Sequence, residues 1–152
     1  MRALRVLLFV FIAAAFTQCK KEGCTDPNAN NYNTEAKKSD GSCTYPVITV
    51  RQGGDDGDVT GRGGNATATH TWNNSLNQAE LNMDITSSKG GTYTIVVLDA
   101  DNNEVLNETL TAGVGDDSLT QCSAAGVPGE WKVTITLSKF NGDGSFTLSA
   151  GC

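Results

Sequence analysis

Gly91 to Leu110 reads GTYTIVVLDADNNEVLNETL, and the fold is decided by how this stretch is read. Tyr93, Ile95 and Val97 alternate with residues of the opposite face, the period-two signature of a strand with one side in a core. Asp99-Ala100-Asp101-Asn102-Asn103 then gathers residues that tolerate positive φ and bond their own backbone, so it reads as a hairpin loop. Val105 and Leu110 belong to the returning strand.

The same period continues on both sides. Ile48 and Val50 share one face, as do Leu81, Met83 and Ile85; Trp131, Val133, Ile135 and Leu137 form the strongest stripe, and Phe146, Leu148 and Ala150 close the chain. The spacing predicts strands near 46–52, 57–61, 66–73, 79–87, 91–98, 103–111, 117–123, 129–139 and 144–150, with Asn141-Gly142-Asp143-Gly144 as a second hairpin loop. Eight or nine such strands predict an all-β chain whose region 46–152 is an antiparallel, jelly-roll-like β-sandwich. Composition agrees: 18 Thr, 13 Asn and 17 Gly against 7% aromatics favour strands and tight turns over packed helices. Gly91-Thr92-Tyr93 and Gly129-Glu130-Trp131 open two of the strands in a way that resembles the small β-sandwiches appended to secreted bacterial proteins, such as prepeptidase carboxy-terminal domains. That resemblance implies a binding or stabilising role and names no ligand.

The amino terminus has a different character. Arg2 and Arg5 precede eleven uninterrupted apolar residues, Val6–Phe16, and Thr17 and Gln18 then turn polar; residues 1–18 therefore read as an export signal. As a helix the apolar run rises only about 16 Å, too short to span a bilayer. Ala13-Ala14-Ala15 would permit cleavage for soluble secretion, with Phe16 as the new terminus. Against that stands Cys19, directly after the signal and followed by Lys20, Lys21 and Glu22. This start resembles bacterial lipoproteins, in particular those of Bacteroidetes, although Phe16 and Gln18 depart from the strict lipobox. The resemblance implies a lipid on Cys19, a leader at 19–22, and attachment to the outer membrane on either its periplasmic or its cell-surface face.

Cysteine parity points the same way. Five cysteines in an exported chain leave one over, and setting Cys19 aside leaves Cys24, Cys43, Cys122 and Cys152 for disulfides in an oxidising compartment. Four cysteines allow three connectivities; proximity in sequence argues for Cys24 with Cys43 and Cys122 with Cys152.

Residues 23–45 read GCTDPNANNYNTEAKKSDGSCTY, with Tyr32, Ala29 and Ala36 as the only apolar contacts. Such a segment cannot bury a core, and a Cys24–Cys43 bond would be its main staple, worth about 3 kcal/mol in the chain-entropy picture. The residues Cys24-Thr25-Asp26-Pro27, Ala29, Asn31-Tyr32 and Asp40-Gly41-Ser42-Cys43 resemble short disulfide modules of secreted and surface proteins of Bacteroidetes. The resemblance implies a spacer or adhesive module. Asp26, Asn28, Asn30 and Asp40 could be oxygen ligands for Ca²⁺, but the loop lacks the Gly and Glu of an EF-hand, and Asx turns account for the pattern without metal. Asp99, Asp101 and Asn103 mimic the opening of an EF-hand loop in the same way, with Glu104 where Gly is needed. No metal and no cofactor is expected.

Charge and missing chemistry narrow the function. Removing Arg2 and Arg5 with the signal leaves nine cations against 17 acids, a net −8, which disfavours nucleic acid as a partner. His70 is the single histidine, and neither Gly-x-Ser-x-Gly nor a phosphate-binding Gly loop occurs. No enzyme is expected. Trp131 heads an apolar stripe and belongs to the core, whereas Trp72 follows Thr67, Thr69 and Thr71 and is the candidate for an exposed, sugar-stacking ring. Asp117-Ser118-Leu119 resembles the short acceptor for O-glycosylation of exported Bacteroidetes proteins, with Ser118 as the acceptor. Two functions stay open: an accessory subunit or interaction module of an outer-membrane assembly, and a surface glycan-binding module. The first is preferred because the chain is small, shows no aromatic platform beyond Trp72, and would be held near membrane neighbours by its short leader.

Overall fold

The computed structural model describes residues 20–113 and 117–152. The signal and Cys19 lie outside the described residues. Two short strands, β1 (Glu22–Gly23) and β2 (Lys38–Ser39), pair in parallel within the amino-terminal module. The remainder is all-β and antiparallel: β3 (Val47–Val50), β4 (Asp56–Asn74), β5 (Ala79–Lys89), β6 (Thr92–Leu98), β7 (Glu104–Thr111), β8 (Ser118–Cys122) and β9 (Gly129–Ala150).

Two of these strands are unusually long, and they build both layers of the sandwich. The second half of β4 and the first half of β9 lie side by side from Ala66↔Leu137 to Asn74↔Gly129, and β6 and β7 extend that layer on the far side of β9. The first half of β4 pairs with the second half of β9 from Asp56↔Thr147 to Arg62↔Asn141, flanked by β3 on one side and by β5 and β8 on the other. The expected segments 57–61 and 66–73 are thus one strand, as are 129–139 and 144–150. Asn141-Gly142-Asp143-Gly144 is no hairpin loop: it runs inside β9, between β4 and β5. Glycine in a strand that bends reads locally like glycine in a turn, and only the partners on both sides tell them apart.

The bend is made by irregular pairing. Register shifts between β4 and β9 fall at Arg62/Gly64 and Gly64/Ala66, so the ladder bulges where the strands pass from one layer to the other. Gly63 has φ 100° and Lys139, across the bulge, φ 48°. Gly91, which starts the crossing from β5 to β6, has φ 113°, and a side chain there would lie 2.3 Å from the Lys139 carbonyl oxygen.

Between the layers the alternating stripes meet. Leu81, Met83, Ile85, Tyr93, Ile95, Val97, Trp131, Val133, Ile135, Leu137, Phe140, Phe146 and Leu148 are buried in one cluster. Trp131 is fully enclosed, and its Nε1 donates to the Val127 carbonyl at 2.7 Å. Trp72 sits directly opposite it in the ladder, edge-on at a ring separation of 6.0 Å, and is only 7% exposed. This corrects the reading of Trp72 as a surface ring. Thr67, Thr69 and Thr71 are exposed, and strand alternation sends the even-numbered residues to the other face, where Trp72 joins the core.

The hairpin over 99–103 forms as expected from its residues. The Asp99 carboxylate is buried and accepts bonds from the N–H groups of Asp101, Asn103 and Val127, and Asn102 holds φ 64°. The Val127 bond ties the hairpin to the segment that leads into β9. Disulfides join Cys24 to Cys43 and Cys122 to Cys152. The second links β8 to the end of the chain beyond β9, across the intervening strand β5.

One core group is poorly satisfied. Tyr93 is fully buried, and its hydroxyl has no hydrogen-bond partner among the described residues; burial first, and then the carboxylates of Asp84 and Asp58, push its ionisation far above the ordinary range. A buried hydroxyl without a partner costs stability that a phenyl ring would not. Tyr93→Phe is therefore expected to raise the stability by about 1 kcal/mol, seen as a higher urea midpoint with an unchanged slope.

Candidate functional site

The amino-terminal module is held on the bulge by two asparagines. Asn30 Oδ1 accepts the backbone N–H of Arg62 at 2.8 Å and that of Gly64 at 3.3 Å. Asn28 accepts the Asn65 backbone N–H on its carbonyl oxygen at 2.9 Å, and its Oδ1 accepts Asn65 Nδ2 at 3.0 Å. Asn65 Oδ1 in turn accepts the N–H of Lys139 at 2.7 Å. The module thus supplies acceptors for N–H groups that the interrupted ladder leaves over. Its fit is close: a Cβ on Gly64 would lie 2.6 Å from the Asn28 carbonyl oxygen and 2.8 Å from the ring of Pro46.

Inside the module the polar residues fold the chain back on itself. Asp26 Oδ1 accepts the Asn28 N–H, Asn33 Oδ1 that of Glu35, and Asp40 Oδ1 that of Ser42, each an Asx turn. Asn31 bridges to the far end of the loop, accepting from Thr44 and donating to the Ser42 carbonyl. The second Asp26 oxygen accepts the Tyr45 hydroxyl at 2.8 Å. Asp26, Asn28, Asn30 and Asp40, the oxygen donors considered for Ca²⁺, are thus engaged in turns and in docking the module. Lys21 also belongs to the module rather than to a free leader, since its carbonyl accepts the Lys37 N–H and its side chain pairs with Glu35.

Where the module meets the bulge, a groove of about 460 Å³ opens, lined by Pro27, Ala29, Asn30, Tyr32, Gly63 and Lys139. Tyr32, read from the sequence as an apolar contact of the module, is 45% exposed, whereas Ala29 is buried. A segment of this length has no interior wide enough for a ring, so the ring stands at the wall of the groove. Tyr45 is similarly exposed, at 48%. Neither tyrosine nor Lys139 stood out in the sequence as a site residue; the signal available was the pairing of tyrosines with a segment too small to bury them.

The other candidate residues fall elsewhere. His70 is a β4 residue whose Nε2 lies 2.9 Å from the Gly54 carbonyl oxygen, with its ring against Phe146. Asp56 and Asp58 both pair with Arg51. A second depression, about 370 Å³, runs along β3 and β4 past Val47, Thr49, Asp58 and Asp143, with no aromatic ring on its wall. Ser118 is exposed at the start of β8. The outer face of the β4–β9–β6–β7 layer is a threonine ladder, with Thr69 to Thr134 at 3.1 Å and Thr94 to Thr109 at 2.8 Å.

No family model and no curated protein sequence matches the chain. Among solved structures, TmCBM61 in complex with β-1,4-galactotriose is similar with a TM-score of 0.43 and 12% identity, over 70% of this chain and 69% of that one. A CBM4 structure gives 0.35 and 14%, over 67% and 83%. The enzymatically active domain of tailspike protein 4 from bacteriophage CBA120 gives 0.37 and 16%, over 67% of this chain and 16% of the tailspike. These are distant likenesses, and nothing of those proteins' binding sites is carried over from them.

The electrostatics of the module yield a test. The Asn28 N–H first, and the Tyr45 hydroxyl second, hold the Asp26 carboxyl below its ordinary value of 3.8, against a smaller opposing effect of burial. Because the folded value lies below the unfolded one, this contribution is complete above pH 3.8 and is lost as pH falls through the folded value. Tyr45→Phe removes one donor, so carboxyl NMR titration should show Asp26 moving up towards 3.8 while Asp40, held low by Ser42, stays in place.

Proposed function

We propose that the chain is a non-catalytic, glycan-binding module of the cell envelope, tethered to the outer membrane through a lipid on Cys19. The observation that carries the binding reading is Tyr32, an exposed aromatic residue lining a groove that Asn30, Gly63 and Lys139 line with it. A sugar presents an apolar ring face and a rim of hydroxyls. An aromatic face beside fixed polar groups complements both. The groove's lining offers hydrogen-bonding groups and a stacking surface.

The alternative of an accessory subunit rests on the small size of the chain, its short leader and the lack of an aromatic platform beyond Trp72. Trp72 is buried and Tyr32 is not, which supports placing the glycan-binding reading first. The anchor rests on the sequence around Cys19, and the described chain begins one residue later, at Lys20. The module would then stand next to the lipid, with the groove at its junction with the sandwich.

Retention on immobilised polysaccharides tests the binding reading. Tyr32→Ala is expected to lose at least about tenfold in affinity, the scale of one lost stacked ring, with an unchanged far-ultraviolet circular dichroism spectrum; retention equal to that of the native chain would refute it. Cys19→Ala tests the anchor, and its expected outcome is release of the protein into the soluble fraction. An unmodified mature terminus at Phe16 would overturn that part.

A further inference from the structure

Lys139 holds a conformation that lysine does not favour. Its φ of 48° is left-handed, and the other non-glycine residue with positive φ among those described is Asn102, in the hairpin loop. Asparagine tolerates this region and glycine occupies it freely, whereas a β-carbon with a long side chain is strained there. Lys139 falls in the irregular stretch of β9 that faces Asn65, between the pairs Gly64↔Phe140 and Ala66↔Leu137, and nothing in that stretch needs a cation. The strain therefore points to a use for the side chain itself.

The surroundings indicate what that use is. Lys139 lines the same groove as Tyr32. Among the described residues Lys21, Lys38 and Arg51 are engaged in ion pairs and Lys132 donates to Asn102, while Lys139, like Lys20, Lys37, Arg62 and Lys89, makes no ion pair or hydrogen bond through its side-chain cation; of these five, Lys139 is the one that lines the groove. Its one bond of this kind is made by the backbone N–H, to Asn65. An exposed cation thus lines the same groove as an exposed tyrosine, in a chain whose charge is −8 once the signal is removed. Long-range attraction cannot gather anionic ligands to such a molecule, so recognition of one must come from a contact within the groove.

We propose that the groove is specific for an acidic saccharide, with the carboxylate or sulfate of the sugar on Lys139 Nζ and a sugar ring face against Tyr32. This rests on the glycan-binding reading and adds the ligand class to it. A charge-assisted hydrogen bond gives selectivity over a neutral sugar of the same shape, and Asn30 and Gly63 line the same groove.

Two matched pairs of polymers test it: polygalacturonate with its methyl ester, and dextran sulfate with dextran. The full chain, solubilised in detergent, should bind at least one acidic member about tenfold more tightly than its neutral counterpart, the factor expected of one hydrogen bond to a charged group. The pair that responds tells carboxylate from sulfate. Lys139→Gly and Lys139→Asn should both lose that preference, and Lys139→Arg should retain it. Both uncharged variants suit a left-handed position, so an unchanged or higher melting temperature is expected and confirms that the fold is intact. If either variant binds the acidic polymer as the native chain does, with Tyr32→Ala still disruptive, the acidic specificity is wrong and the groove reading stands. If Tyr32→Ala leaves binding to every polymer unchanged, the groove reading itself is wrong. Equal affinity of the native chain for acidic and neutral members of both pairs also overturns the acidic specificity.

Discussion

When two paired strands pass together from one layer of a sandwich into the other, their ladder has to break, and a broken ladder leaves backbone N–H groups without partners. In this chain the break lies at Arg62–Ala66 on β4 and Leu137–Phe140 on β9. The sandwich closes only part of it from its own residues, through Asn65 of β4. Asn30 accepts from Arg62 and Gly64, Asn28 from Asn65, and Asn65 from Lys139. The amino-terminal module is thus the third party to a joint between two strands, and its Asn-rich composition follows from that position as much as from its own turns.

The groove follows from the same joint. A compact module seated on a convex bend leaves an angle between them, and its walls are whatever each partner presents: Pro27, Ala29 and Tyr32 from one, Gly63 and Lys139 from the other. The Cys24–Cys43 bond closes the loop that carries Asn28, Asn30 and Tyr32, restricting the alternatives open to it when unfolded. Three features that look separate in the sequence, the disulfide loop, the glycine pair in β4 and the lysine in β9, therefore meet at one place.

Much of the sandwich was legible because strand alternation is a local property. Trp131, Val133, Ile135 and Leu137 could be placed in the core without knowing their neighbours, and the Asp99 hairpin is written in residues that bond their own backbone. Trp72 shows where local reading went astray. The alternation Thr67, Thr69, Thr71 was visible, but the parity of Trp72 puts it on the opposite face from those threonines, against Trp131. The glycines at 141–144 illustrate a second limit, since a bend within a strand and a turn between strands use the same residues for the same conformational freedom.

The sequence by itself determined an all-β chain of antiparallel strands, an acidic surface, the small loop between Cys24 and Cys43, and the separation of that loop from the strands that follow, because composition, period and spacing each act within a few residues along the chain. Tertiary structure alone decided that two pairs of expected strands are continuous, that Asn28 and Asn30 hold a bulge rather than line a loop, and that Tyr32 and Lys139 share a groove. These two residues are separated by more than a hundred positions, and neither has a local pattern that refers to the other. What joins them is the bend of β4 and β9. A bend is set by partners on both sides of a strand, and no stretch of sequence read alone contains both.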